Sequence, residues 1–160
     1  MKNQIILIDD DVDLLGINKC FFQATIRELF QTIPEVSFVN ITIKTYSDPK
    51  KAIKYILENL DSICLVVSDQ EMPKGTEPTG TQLLYSIFAQ TKGQELPVLV
   101  LYCSESSNIM SDFVQQRAFY DRIVSLDKGY LIGHKIKKIV VDLIIKISSL
   151  EGSGKCLVTI

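Results

Sequence analysis

"IILIDDDVDLL", residues 5–15, is the stretch on which the reading of this chain turns. Four apolar residues, Ile5 to Ile8, run directly into Asp9, Asp10 and Asp11. The apolar run has the length of a buried strand, and the stretch that follows, "VDLLGINKCFFQATIRELFQ" (12–31), carries apolar residues at helical spacing. Adjacent carboxylates repel one another, and each resists burial. Three of them at the end of a buried strand call for water, a lysine or a metal ion to offset that cost.

The same alternation recurs along the chain. "VSFVNITIKTY" (36–46) alternates and is rich in β-branched residues, a strand signature. "DPKKAIKYILENL" (48–60) opens a helix with Asp48 as N-cap and Pro49 at the first helical position. "ICLVVSD" (63–69) is a short, continuously apolar strand, 80–92 a helix, and "LPVLVLYC" (96–103) another buried strand. Residues 106–120 give a helix, "RIVSL" (122–126) a strand, and 131–149 a long helix. Five β-α units with near-continuous apolar strands predict an α/β fold, a doubly wound parallel sheet with helices on both faces. Ligands of such folds lie outside the carboxyl ends of the strands. Those positions hold Asp9, Asp10 and Asp11 after the first strand and Asp69 at the end of the third. Tyr102, Cys103 and Ser104 end the fourth, and Asp127 and Lys128 follow the fifth.

Composition narrows the function. The 160 residues, 46% hydrophobic, suit one domain with a sizeable core, and a net charge of -2 offers no overall basic footprint for nucleic acid. The N-terminus "MKNQIILIDDD" is neither a signal peptide nor a membrane span, so a cytoplasmic protein is expected. Cys20, Cys64, Cys103 and Cys156 lie far apart with no C-x-x-C pair, which reads as reduced thiols. His134 is the only histidine, so a histidine-based metal cluster is ruled out, and its helical context reads as surface. No glycine-rich turn for a dinucleotide follows the first strand.

Acids from two strand ends and a lysine from a third converge on one rim of such a sheet. A cluster of carboxylate oxygens suits a hard cation such as Mg²⁺. With these residues placed, the chain resembles the receiver domain of bacterial two-component response regulators over residues 3 to about 149. Asp9-Asp10 matches the acidic pair of that family; "SDQEMP" supplies Asp69, Met72 and Pro73 in its D-x-x-M-P spacing; Lys128 matches its lysine after the fifth strand. The resemblance implies a flavodoxin-like sheet in strand order 2-1-3-4-5. It implies that Asp69 accepts a phosphoryl group and that Asp10 and Asp69 ligate Mg²⁺ directly. Asp9 acts mainly through water, the backbone carbonyl of Glu71 is a further ligand, and Lys128 pairs with Asp69 and then with the phosphoryl oxygens. It implies a signalling domain rather than a turnover enzyme, with weak autophosphatase activity at most. The implied partners are a sensor histidine kinase or a histidine phosphotransfer protein, and a second copy through the fourth helix (106–120), fifth strand and fifth helix (131–149). Neither nucleic acid nor membrane is expected to bind this chain directly.

The chain departs from the family pattern at the positions that report phosphorylation. Tyr102 stands where the family has Thr or Ser, with Ser104 as the alternative hydroxyl. Ser125 stands where the family often has Tyr or Phe, Lys128-Gly129 replaces Lys-Pro, and the loop after Met72-Pro73 is longer, with Gly75, Pro78 and Gly80 in a reshaped turn. An atypical but phosphorylatable receiver is expected, with a phosphate-independent interaction module as the competing reading. Singly, the residues have plainer roles: Asp11 or Asp13 as helix cap, Asp69 as a turn residue, Lys128 as a surface lysine. From another class, a haloacid dehalogenase-type phosphohydrolase also starts with a strand and D-x-D, here Asp9-x-Asp11. Only Asp127 is at hand for its late acidic pair. Residues 150–160, "LEGSGKCLVTI", are read as a tail that packs on the domain or as the start of a linker to an output domain.

Overall fold

The computed structural model describes residues 2–33, 40–72, 78–91, 96–103, 119, 122–127 and 132–152. Its elements are β1 (Gln4–Ile8), α1 (Val12–Thr32), β2 (Thr42–Tyr46), α2 (Pro49–Glu58), β3 (Ile63–Asp69), α3 (Gly80–Gln90), β4 (Val98–Cys103), β5 (Ile123–Asp127) and α4 (Ile132–Gly152). The strands form one parallel sheet in the order β2-β1-β3-β4-β5. The expected α/β architecture and strand order are therefore observed.

The pleat sends alternate residues to opposite faces and builds two cores. Ile5, Leu7, Leu65, Val67, Val100, Tyr102 and Leu126 face α1 and α4, where Phe22, Leu29, Ile136 and Ile144 close over them. Ile6, Ile8, Val66, Leu99 and Leu101 face α2 and α3, where Ile56, Leu84, Ile87 and Phe119 do the same. Burial on both faces explains the continuous apolar run of β3, every residue of which is buried. One irregularity sets the parity. Gln4 pairs with Ile63 but Ile5 pairs with Leu65, so Cys64 is an extra residue in β3. An added residue flips every later side chain to the other face.

Several boundaries differ from expectation, each for a local reason. β2 starts at Thr42 rather than 36: Asn40 and Ile41 precede the strand, and 34–39 lie outside the described residues. Proline at 97 leaves β4 to start at Val98, since it has no N–H for a ladder. α2 stops at Glu58 because Asn59 donates to Ile56 O and starts a 3-10 turn over Leu60–Ser62. α3 stops at Gln90, where Thr91 caps it. α3 starts at Gly80, as the helix expected over 80–92 does, so the turn residues before it end at Thr79. α4 runs to Gly152, through the start of the expected tail; residues 153–160, including Cys156, lie outside the described residues. Of the helix expected over 106–120, only the buried Phe119 is described. His134 falls within α4, but its side chain is outside the description. No helix among the described residues is long and apolar enough to cross a membrane.

Candidate functional site

β1 and β3 are neighbours and end together, and this brings the acids into one place. Leu7 pairs with Val67 and Ile8 with Ser68, so one residue further along Asp9 stands beside Asp69. Both share the parity of Leu7 and Val67 and point to the α1 side. Carboxylate oxygens of Asp9, Asp10 and Asp69 all lie within 4.8 Å of one another. Asp9 and Asp69 are buried, 6% and 4% exposed, and Asp10 is half-buried. At an effective dielectric of 20, two unit charges about 5 Å apart repel by about 3 kcal/mol. The cluster thus carries the cost that its sequence announced.

The donor set fits a hard dication. Mg²⁺ binds oxygen at about 2.1 Å, so donors on it stand about 3 Å apart when adjacent and about 4.2 Å when opposite, spacings that fall inside the 4.8 Å over which these carboxylates gather. Asp9 Oδ1 accepts the backbone N–H of Asp11 at 3.0 Å, which fixes that carboxylate at the strand end. Asp11 is not part of the group. It is the N-cap of α1, accepting from Asp13 N at 2.9 Å and Leu14 N at 3.1 Å, as the capping reading expected.

Tyr102 pairs directly with Asp69 across β3 and β4. It is only 9% exposed and is packed among Leu15, Phe22 and Val67. Burial alone pushes its phenol well above the ordinary value. Ser125 lies on the opposite face of the sheet, with its Oγ 3.6 Å from the Sγ of Cys103. Asp127 ends β5 beside Cys103 rather than following the strand. Lys128, Gly129 and Ser104 lie outside the described residues, as do Pro73 and Gly75. Glu71 is described and exposed, two residues past the end of β3.

Sequence reasoning missed the groups that hold Asp69 from behind. A Cβ on Gly80 would come within 2.8 Å of the carbonyl carbon of Asp69 and 2.9 Å of the Cα of Gln70. The first turn of α3 therefore rests on the backbone of Asp69, and only glycine permits that approach. Thr79 and Gln82 form a reciprocal capping box. The "TGTQ" pattern carried that signal, since Thr three residues before Gln marks a helix start. Asn18, on α1, lines the small cleft between Asp9, Asp69 and Tyr102; no spacing rule on the sequence singled it out.

No protein-family model matches the sequence, and no curated protein does. Solved structures do match. A response regulator receiver domain protein from Clostridium thermocellum is 16% identical with a TM-score of 0.63, over 92% of this chain and 98% of that one. The chemotaxis protein CheY4 of Vibrio cholerae is 14% identical with a TM-score of 0.58, over 89% and 99%. A response regulator receiver protein from Sinorhizobium medicae is 17% identical with a TM-score of 0.56, over 90% and 95%. At these identities the likeness is one of fold.

Proposed function

We propose that this chain, whose fold is that of response regulator receiver domains, is a phosphoacceptor receiver that is phosphorylated on Asp69 with Mg²⁺ and regulates a signalling partner. The observation that carries this reading is the acid cluster. Three carboxylates from two strand ends converge within 4.8 Å around Asp69, the buried last residue of β3. Asp9, Asp10, Asp69 and the Glu71 carbonyl would hold the ion. When bound, Mg²⁺ neutralises the charge that gathers on the transferring phosphoryl oxygens.

The chain's own part is positioning. A carboxylate oxygen of Asp69 attacks phosphorus, forming a P–O bond. The P–N bond to the donor histidine breaks, its electron pair stays on the imidazole nitrogen, and an acyl phosphate remains on Asp69. Lys128, next in sequence to the last residue of β5, supplies the positive charge that pairs with the acceptor and then with its phosphoryl group. The donor is a sensor histidine kinase or a histidine phosphotransfer protein. Val12, Leu14 and Ile17, exposed at the start of α1 just past the acids, give such a partner an apolar surface to dock on.

The test is stoichiometric labelling. With Mg²⁺ and acetyl phosphate, or with beryllofluoride as mimic, mass spectrometry is expected to find one adduct on the wild type and none on Asp69→Ala. The carboxylate-linked product is stable in acid and labile in base. A folded protein that gives no adduct with Mg²⁺ present points to the second reading, a phosphate-independent interaction module. Tyr102 and Ser125 on opposite sheet faces favour that reading, because neither presents a short hydroxyl beside Asp69. A haloacid dehalogenase-type phosphohydrolase would need the Asp11 carboxylate in the site, and it is committed to capping α1. Turnover of a simple phosphomonoester would revive it.

A further inference from the structure

Gln70, the residue after the acceptor, uses every backbone and acceptor group it has to tie other elements to Asp69. Its N–H donates to Tyr102 O on β4 at 2.7 Å, and its carbonyl accepts from Gly80 N at 3.3 Å. Its side-chain Oε1 accepts both from Thr81 N at 2.9 Å and from Thr81 Oγ1 at 2.7 Å. These bonds close the account of the α3 N-terminus. A helix starts with four N–H groups that lack partners within it. Here Thr79 N goes to Gln82 Oε1, Gly80 N and Thr81 N go to Gln70, and Gln82 N goes to Thr79 Oγ1. None is left to face an anion, so α3 acts at this site as a buttress rather than as a phosphate cradle. Thr81 is itself buried, and its hydroxyl donates to the same oxygen. The side chain and the carbonyl of Gln70 together tie α3 to the end of β3.

We propose that Gln70 is a positioning residue of the acceptor site. Its amide oxygen clamps the first turn of α3 onto the backbone of Asp69 and holds the acceptor and the neighbouring Glu71 carbonyl where a cation can be bound. This role rests on the phosphoacceptor reading. Gln70→Leu keeps the size and removes the acceptor; Gln70→Glu keeps the acceptor. Mg²⁺ titrations followed by NMR and thermal melts separate binding from folding. Gln70→Leu is expected to weaken Mg²⁺ about 10-fold, the usual scale for a group that supports a metal ligand, and to speed amide exchange at Gly80 and Thr81. Gln70→Glu is expected to restore both. Thr81→Ala, which loses one of the two bonds, is expected to weaken binding less and to add nothing to Gln70→Leu. It also gives a reading should Gln70→Leu fail to fold. A wild type indifferent to Mg²⁺ sinks the phosphoacceptor reading and this role with it. A normal wild-type response unchanged in Gln70→Leu, or one that Gln70→Glu fails to restore, sinks the positioning role alone.

Discussion

At Asp10 the stability of the fold and the proposed cation site pull in opposite directions. Asp10 adds a third negative charge to two buried ones, a repulsion that a bound cation would relieve. Asp10→Asn is therefore expected to raise stability in metal-free buffer by about 1 kcal/mol or more and to abolish further stabilisation by Mg²⁺. Thermal melts with and without Mg²⁺ check this; a variant that still gains from Mg²⁺ places the ion elsewhere. Gly80 is the opposite case. Its missing side chain admits the backbone of Asp69 and Gln70, and backbone cannot rotate away as a side chain can. Gly80→Ala is expected to cost about 1 to 3 kcal/mol, the usual range for overpacking, and to blunt the Mg²⁺ response, both readable in the same melts.

α1 separates stability from function at the scale of an element. Asp11 caps it, and Asp11→Ala is expected to cost about 1 kcal/mol in denaturant unfolding while leaving Mg²⁺ binding intact. Loss of Mg²⁺ binding in that variant would bring Asp11 into the site and revive the D-x-D alternative. Gly16 lies on the exposed face of the same helix, and a Cβ there meets nothing within 4 Å. Glycine in a helix interior costs about 1 kcal/mol relative to alanine. Gly16→Ala is expected to return about that much in the same unfolding experiment. The exposed Val12 and Ile17, at 68% and 64%, share that end of the helix. Helical periodicity alone assigned the apolar residues of 12–31 to one helix. It did not separate those that pack on the sheet from those that face solvent.

The molecule as a whole is expected to lose stability at alkaline pH through two of its buried acids. Burial pushes the Cys64 thiol from 9.0 up to about 12, and its Sγ donates to Gln4 O at 3.1 Å. Burial also raises the Tyr102 phenol from its ordinary 10.0. Both are held protonated in the fold and ionise earlier once unfolded. Their contribution is complete below about pH 9. As pH rises the unfolded state binds fewer protons than the folded one, so stability falls, through pH 12 for Cys64. Denaturant midpoints across this window check the slope, which Cys64→Ala and Tyr102→Phe are each expected to flatten. Equal slopes in all three proteins would assign the alkaline loss to other groups.

The order of strands and helices was legible in the sequence because periodicity is local: an apolar run or a 3.6-residue repeat is carried by a few neighbours. The same holds for the caps at Asp11 and Asp48 and for the acids at two strand ends. The boundaries of β2 and β4 were less legible, since pairing rather than propensity ends a strand. Only the tertiary structure decided which face each acid takes. Cys64 is one residue too many in β3, and that shift against β1 puts Asp69 beside Asp9, yet no local pattern marks it. The bonds from Gln70 to Thr81 and the glycine that admits the Asp69 backbone were equally silent. Each rests on a contact across a nine-residue loop, where the physical cause is distance in space rather than spacing along the chain.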